Sequence, residues 1–332
     1  MTTYPVTLDL ASPPSLDTRD MLAREVRRGL RKRPRSLPPW MFYDARGSRL
    51  FECITELPEY YPTRTERGIL ASCCDAIITA ACPDTTEAMR VVELGAGTAS
   101  KTATLLDAAS RLHGEVLYAP IDVSSDALDV ACDMIGTSLP EVCISPIVAN
   151  YVTHPPQLDS FNGTTLGLYI GSSMGNFTPE EARSILRNLR GQLQPGDALL
   201  LGVDMVKDGP TLVAAYDDRA GVTAEFNLNM LHRLNRELGA DFDPARFRHR
   251  ALWNPAESRM EMHLESTRDQ HVRIAAAQLD VYFTKRERIH TENSYKFTEA
   301  SIRILLGEAG FEVEQTWTDK RGWYSVTLAR TR

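Results

Sequence analysis

Val91-Val92-Glu93-Leu94-Gly95-Ala96-Gly97-Thr98-Ala99-Ser100-Lys101-Thr102 is the stretch around which the rest of the chain is organised. It enters as a buried strand, turns through two glycines and leaves as a helix. Such a joint brings bare backbone N–H groups close to a ligand at a helix N-terminus. Outward from it the chain alternates. Strands are expected near 91–94, 116–121, 143–148, 166–170 and 198–204, and helices over 101–112, 125–138 and 179–193. That order predicts an α/β fold, a doubly wound and mainly parallel sheet. The fourth strand runs into Gly171-Ser172-Ser173-Met174-Gly175-Asn176-Phe177, a polar loop at a strand's carboxyl end, where open sheets place their ligands.

The glycine spacing narrows the ligand. A dinucleotide fingerprint wants a third glycine at position 100, where this chain has Ser100. The Glu93-x-Gly95-x-Gly97 pattern favours instead the first glycine loop of an S-adenosylmethionine-dependent methyltransferase. The next strand, Val116 to Val123, carries Asp122 near its end. An acid about 20 residues past the glycine loop reaches ribose hydroxyls. The alternative for Asp122 is an N-cap of the helix that starts near Ser124.

Composition removes other classes. The chain has 332 residues, 43% of them hydrophobic, enough for two packed units at ~150 residues each. A net charge of -7 gives no global field for nucleic acid, and no apolar run approaches the ~18 residues of a membrane span. The N-terminus lacks the basic-then-apolar order of a signal peptide. The six cysteines include no Cys-x-x-Cys and the seven histidines no His-x-x-x-His, so no metal site is expected. The cysteines read as reduced thiols of a cytoplasmic protein.

The flanks are less regular. Residues 1 to about 17 read as a polar arm and 17–32 as an amphipathic helix. Arg24, Arg27, Arg28, Arg31, Lys32, Arg33 and Arg35 form a basic cluster, read as a solvated face. Thr63 to Glu66 has a capping-box pattern for a helix reaching Ala81, after Tyr60 and Tyr61 in a proline-bracketed extended turn. Beyond Asp204 the alternation stops. Residues 209–242 read as helical, and 251–266 with 271–283 as a strand pair. Glu292 and Ser294 lie on one face of an extended segment. A helix over 298–309 and a hairpin of 311–317 with 323–329 close the chain.

Seven segments then carry a resemblance: Trp40 to Asp44, Leu57 to Glu66, Glu93 to Thr98, Gly171 to Asn176, Ala215 to Asp218, Arg259 to Met262 and Thr291 to Phe297. Through them nearly the whole chain resembles the bacterial L-histidine Nα-methyltransferases of ergothioneine biosynthesis, a histidine-specific S-adenosylmethionine-dependent family. The Tyr-Tyr-Pro-Thr-Arg-Thr-Glu and Thr-Glu-x-Ser runs are the narrowest of these motifs.

The resemblance implies a class I methyltransferase domain, 63–204 with 298–332, and a smaller α+β substrate domain, 14–62 with 205–297. It implies triple methylation of the α-amino group of L-histidine to hercynine; the alternative is another aromatic amino acid such as tryptophan or a derivative. With the glycine-loop reading, cofactor contacts fall on Glu93, Gly95, Gly97, Lys101, Asp122, Ala149 and Asn150. The family often has Gly-Asp where this chain has Ala149-Asn150. Substrate contacts fall on Tyr60, Gly171, Ser173, Asn176, Tyr216, Met262, Glu292 and Ser294, with Ser173 standing where some relatives have threonine. Tyr43, near the reacting amine, joins Asn176 and Tyr216 as the catalytic set. For Met262 core packing and a pocket wall stay open. The expected partner is a free amino acid, with no nucleic acid, no membrane, and a monomeric enzyme. A non-catalytic amino-acid sensor on this fold would show a degraded glycine loop, and an RNA methyltransferase a basic face beside the cleft.

Overall fold

Met89–Leu94 (β1) is buried along its whole length, as an apolar strand covered on both faces must be. Val116–Asp122 (β2), Thr164–Tyr169 (β4) and Ala198–Asp204 (β5) are likewise mostly or wholly buried, Val142–Ile144 (β3) is partly exposed, and helices connect β1 to β2, β2 to β3 and β4 to β5. Phe311–Thr318 (β6) and Tyr324–Thr331 (β7) form the closing hairpin. The strand order is β3-β2-β1-β4-β5-β7-β6. The strands from β3 to β5 pair in parallel, and β7 runs antiparallel to both β5 and β6. This is the class I methyltransferase fold. Its strand order reverses between β1 and β4, the switch point beyond whose carboxyl ends open sheets of this kind place their ligands.

The coordinates, a computed structural model, describe residues 16–332; the polar arm expected at the N-terminus lies outside the described residues up to position 15. The chain divides into two units. Among the described residues, one comprises 16–57, Val213–Leu252 and Glu261–Glu292; the other Pro58–Leu212, Trp253–Met260 and Asn293–Arg332.

The second unit holds the large sheet. One face is covered by the Tyr61–Ala81, Thr102–His113 and Ser125–Ser138 helices through Leu70, Ile77, Leu105 and Ile135. The other is covered by Pro179–Arg190 and Glu299–Glu308 through Ile185, Leu186, Ile302 and Leu306.

The Tyr61–Ala81 helix corrects two expectations. It starts at Tyr61, with Tyr60 as N-cap and Pro62 in the first turn, so Tyr61 is helical rather than extended. No side chain caps it, and the Thr63–Glu66 capping box does not form. Glu66 shares the inward face with Ile69 and Leu70, and its side chain is fully buried.

The first unit contains the Leu16–Arg31, Ala45–Thr55 and Val222–Leu238 helices and most of a four-stranded sheet. The helical reading of 209–242 breaks at Gly221, in the left-handed region at φ 79°, where the Asp218 carboxylate accepts from Val222 and Thr223 N–H. The single strand pair expected over 251–283 is instead two hairpin pairs' worth of strand: Phe247–Asn254, Arg259–Ser266, Gln270–Ile274 and Leu279–Phe283. The basic cluster is not wholly solvated. Arg35 is buried, ion-paired to Glu287 at 2.6 Å, and Arg27 donates to the Ala277 carbonyl.

Candidate active site

The glycine loop takes the backbone shape its sequence requires. Gly95 and Gly97 both have positive φ, 74° and 52°. Gly95 N–H donates to the Ile121 carbonyl at 2.8 Å, and a Cβ there would stand 3.1 Å from the Tyr151 hydroxyl. Gly97 faces open space, with no heavy atom within 4 Å of an added Cβ. Its N–H donates to Asp122 Oδ2 at 3.0 Å, while Oδ1 accepts from Ser124 N–H. Ser124 itself caps the next helix through Ala127 N–H, so Asp122 holds the loop and is not the cap.

Ala149 joins the same cluster, its N–H donating to the Asp122 carbonyl at 2.9 Å. Asn150 departs from expectation. Its side-chain oxygen already accepts from Val152 and Thr153 N–H, so only its NH₂ end suits a ligand. Glu93 departs further: it is buried, and its two oxygens accept from Thr102 Oγ1 and the Tyr118 hydroxyl. Burial pushes its carboxyl up to about 7, against the lowering pull of those two donors. Glu93 therefore ties the strand to the following helix from below rather than meeting a ligand.

Glu66 is the largest feature that sequence reasoning missed. Its oxygens accept from Gly171 N–H at 2.8 Å, from the Tyr324 hydroxyl at 2.6 Å and from Lys101 Nζ. One buried carboxylate thus links Lys101 to the first residue of the polar loop after β4. The signal was present: position 66 falls three and four residues before Ile69 and Leu70, on an apolar helix stripe.

The polar loop forms a short 3-10 turn, Ser173–Asn176, entered through Gly171 and Ser172 at φ 88° and 59°. Gly175 lies so close to the chain at Tyr295 that a Cβ would sit 2.7 Å from its carbonyl oxygen and 3.6 Å from Ser294 Oγ. The turn carrying Asn176 and the residue Ser294 are therefore neighbours. Beside them is a second buried polar centre. Asp204, at the end of β5, accepts from the Tyr61 hydroxyl at 2.8 Å and pairs with Lys207 at 2.5 Å and Lys296 at 2.9 Å.

In the first unit Tyr43 is exposed and meets Phe51 and Phe226 edge-on, at 5.9 and 5.8 Å. Asp44 secures it by capping the Ala45–Thr55 helix at Gly47 N–H and accepting from Asn229 and Arg236. Against burial, which raises its pKa, these donors hold the Asp44 carboxyl below its ordinary value. The Tyr216 carbonyl accepts from His249 Nε2 at 2.7 Å, which fixes Nδ1 as the acceptor from Asn227. Met262 and Glu292 are both buried, and the Met262 carbonyl accepts from Thr291 Oγ1.

The sequence profile of one family, described as histidine-specific and SAM-dependent methyltransferase, matches residues 22–331. The chain belongs to that family. It is 45% identical over 325 residues to the histidine N-alpha-methyltransferase of Mycolicibacterium smegmatis, covering 98% of this chain and 99% of that one. It is 42% identical to the protein of the same description from Mycobacterium tuberculosis, over 93% and 94% of the two chains. Ergothioneine biosynthesis protein 1 of Neurospora crassa is 28% identical over 90% of this chain and 34% of its own length.

The family cofactor, S-adenosylmethionine, fits the second unit's strand ends. Gly97 is open to approach, Asp122 offers a carboxylate, and Val123 and Val148, 61% and 62% exposed, present apolar surface beside it. Val148 is the register partner of Asp122 on the neighbouring short strand. Neither valine was singled out from sequence; an apolar residue directly after the acid is the only local signal. Of the remaining expected site residues, Tyr60, Gly171, Ser173, Asn176 and Ser294 lie in the second unit, and Tyr43, Tyr216, Met262 and Glu292 in the first.

Proposed function

We propose that this enzyme methylates the α-amino group of L-histidine three times with S-adenosylmethionine, yielding hercynine for ergothioneine biosynthesis. The observation that carries the reading is near-full-length identity of 45% to a histidine N-alpha-methyltransferase, with both chains covered almost end to end. S-adenosylmethionine supplies an electrophilic methyl on a sulfonium. The protein's task is to align a neutral amine with it and exclude water. Asp122 addresses the ribose hydroxyls, Gly95 and Gly97 admit the cofactor to bare backbone, and Lys101 with Ala149 and the amide of Asn150 complete its contacts.

Asn176 and Tyr216 donate to the substrate carboxylate, and Tyr60, Gly171, Ser173 and Met262 bound the substrate. Glu292 and Ser294 address the two imidazole nitrogens. An α-amino group titrates near ~8, so an acceptor must take its proton before transfer. Tyr43 accepts a hydrogen bond from that amine, through its hydroxyl or a water, and the proton itself passes to solvent water. Its exposure in the unit leaves a route for the proton to solvent.

Two results follow. Asp122→Ala should weaken S-adenosylmethionine binding by ~1.5–3 kcal/mol, the range for hydrogen bonds to a charged group. Calorimetry showing unchanged affinity would confine Asp122 to holding Gly97. If the carboxylate is clamped, the substrate is a free amino acid. Mass spectrometry after incubation with S-adenosylmethionine should then show trimethylated histidine and no methylated histidinamide. Comparable turnover of the amide would remove the clamp, and no histidine product would remove the function.

A further inference from the structure

Glu66 divides its two oxygens between two tasks. Oε1 accepts from Gly171 N–H at 2.8 Å and from the Tyr324 hydroxyl at 2.6 Å. Burial and then the Glu66 charge raise the Tyr324 pKa, so that hydroxyl stays a protonated donor. Among the described residues, Oε2 accepts from Lys101 Nζ alone. All four residues belong to the second unit. The ion pair is sealed at one end only: the Glu66 side chain is fully buried, and the Lys101 side chain is 21% exposed.

Lys101 is confined from a second direction. Its ammonium passes over Gly171 so closely that a Cβ there would stand 3.0 Å from Nζ. Glu66 and Gly171 together fix the tip of a long side chain that otherwise samples many rotamers. An ammonium has three donors, and Glu66 takes one. Glu93 does not compete for the others, because its oxygens accept from Thr102 Oγ1 and the Tyr118 hydroxyl.

The place of Lys101 in the chain says what it is aimed at. It is the N-cap of Thr102–His113, a helix that no side chain caps and whose first turn holds no acid. First-turn N–H groups and an ammonium together favour an anion. S-adenosylmethionine has one anionic group, the carboxylate of its methionine arm. We propose that Glu66 is a positioning residue that aims the Lys101 ammonium at this carboxylate, and so sets the affinity for the cofactor's amino-acid arm without touching the cofactor. This rests on the reading that Lys101 meets the cofactor.

The sign of the effect separates aim from charge. The Glu66 charge by itself repels a carboxylate, so neutralising it tightens binding if charge is all that matters. Glu66→Gln keeps a carbonyl oxygen for Gly171 N–H and the Tyr324 hydroxyl, and turns its NH₂ toward Lys101, donor against donor. The aim of the ammonium is lost while the other two bonds stay.

Calorimetry on the full chain reads this with two ligands, S-adenosylmethionine and its decarboxylated form, which differ in the carboxylate only. Glu66→Gln should raise Kd for S-adenosylmethionine ~10-fold, the scale of one side chain that must be ordered on binding, and Kd for the decarboxylated form less than ~2-fold. Lys101→Met should raise Kd for S-adenosylmethionine ~10- to 100-fold, the range for a hydrogen bond between charged groups, and again spare the decarboxylated form. In the Lys101→Met background Glu66→Gln should add less than ~2-fold, because the two residues act as one.

Equal weakening of both ligands in Glu66→Gln overturns the proposal, since Glu66 would then shape the fold and not aim the ammonium. Unchanged or tighter S-adenosylmethionine binding in Glu66→Gln, with Lys101→Met weakened, overturns it as well. Unchanged affinity in Lys101→Met removes the Lys101 contact and the proposal with it, and is thereby told apart from a failure of Glu66 alone.

Discussion

Glu66→Ala is expected to lower the unfolding midpoint by ~10 °C. The Glu66 side chain is fully buried and receives Gly171 N–H, the Tyr324 hydroxyl and Lys101 Nζ. Removing one partner of a buried ion pair costs ~3–5 kcal/mol, because the other groups lose their acceptor where water does not replace it. For domains of 150–250 residues each kcal/mol moves the midpoint by ~2–4 °C. The site leaves no room for rearrangement: a Cβ on Gly202 would lie 2.3 Å from Glu66 Oε1. Glu66→Gln keeps the shape and an acceptor but not the charge facing Lys101, so its loss should be less than half as large. Circular dichroism melts of the two variants check this. An alanine variant melting within 2 °C of wild type, a bound set by the same ~2–4 °C scale, would show that Glu66 carries no net stabilisation.

That centre also marks the border of what the sequence made legible. The β-strand and helix order from Val91 to Asp204 was readable because parallel strands buried on both faces are continuous apolar runs, punctuated by turns such as Gln194–Asp197. The 251–283 region was not, because its turns conceal themselves. Ser258 and Gln278 take left-handed φ of 50° and 45° at positions where glycine or asparagine would have announced a hairpin. At the site, the glycine loop and Asp122 were visible as a local spacing, and the structure places them in contact. Glu66 and Asp204 were not, since their partners Tyr324 and Lys296 come from the far end of the chain. Local signals even misled there: Thr63 to Glu66 reads as a capping box, but Pro62 in the first turn and the apolar stripe shared by Glu66 decide the outcome.

Histidine should exceed tryptophan and phenylalanine in kcat/KM by ~10⁴ or more, and Glu292→Ala should narrow that lead. The Arg288–Tyr295 strand places Glu292 and Ser294 two residues apart, on one face, and both are buried. A carboxylate and a hydroxyl at that spacing match the two nitrogens of an imidazole, one as acceptor and one as donor. Indole satisfies at most one of them and phenyl neither, which leaves a buried carboxylate without its substrate hydrogen bond. Sites built to hydrogen-bond a substrate reject analogues lacking the group by ~10⁴–10⁵, far more than a pocket of apolar walls achieves. In Glu292→Ala the histidine N–H loses its charged acceptor, so kcat/KM for histidine should fall ~10- to 100-fold. Phenylalanine has no bond there to lose and gains room, so its value should hold or rise, and tryptophan, with its single N–H, should fall less than histidine. Measuring kcat/KM for the three amino acids on both proteins separates the alternatives. A uniform fall for all three would make Glu292 a structural residue, and a wild-type preference for tryptophan would transfer the enzyme to the other aromatic substrate class.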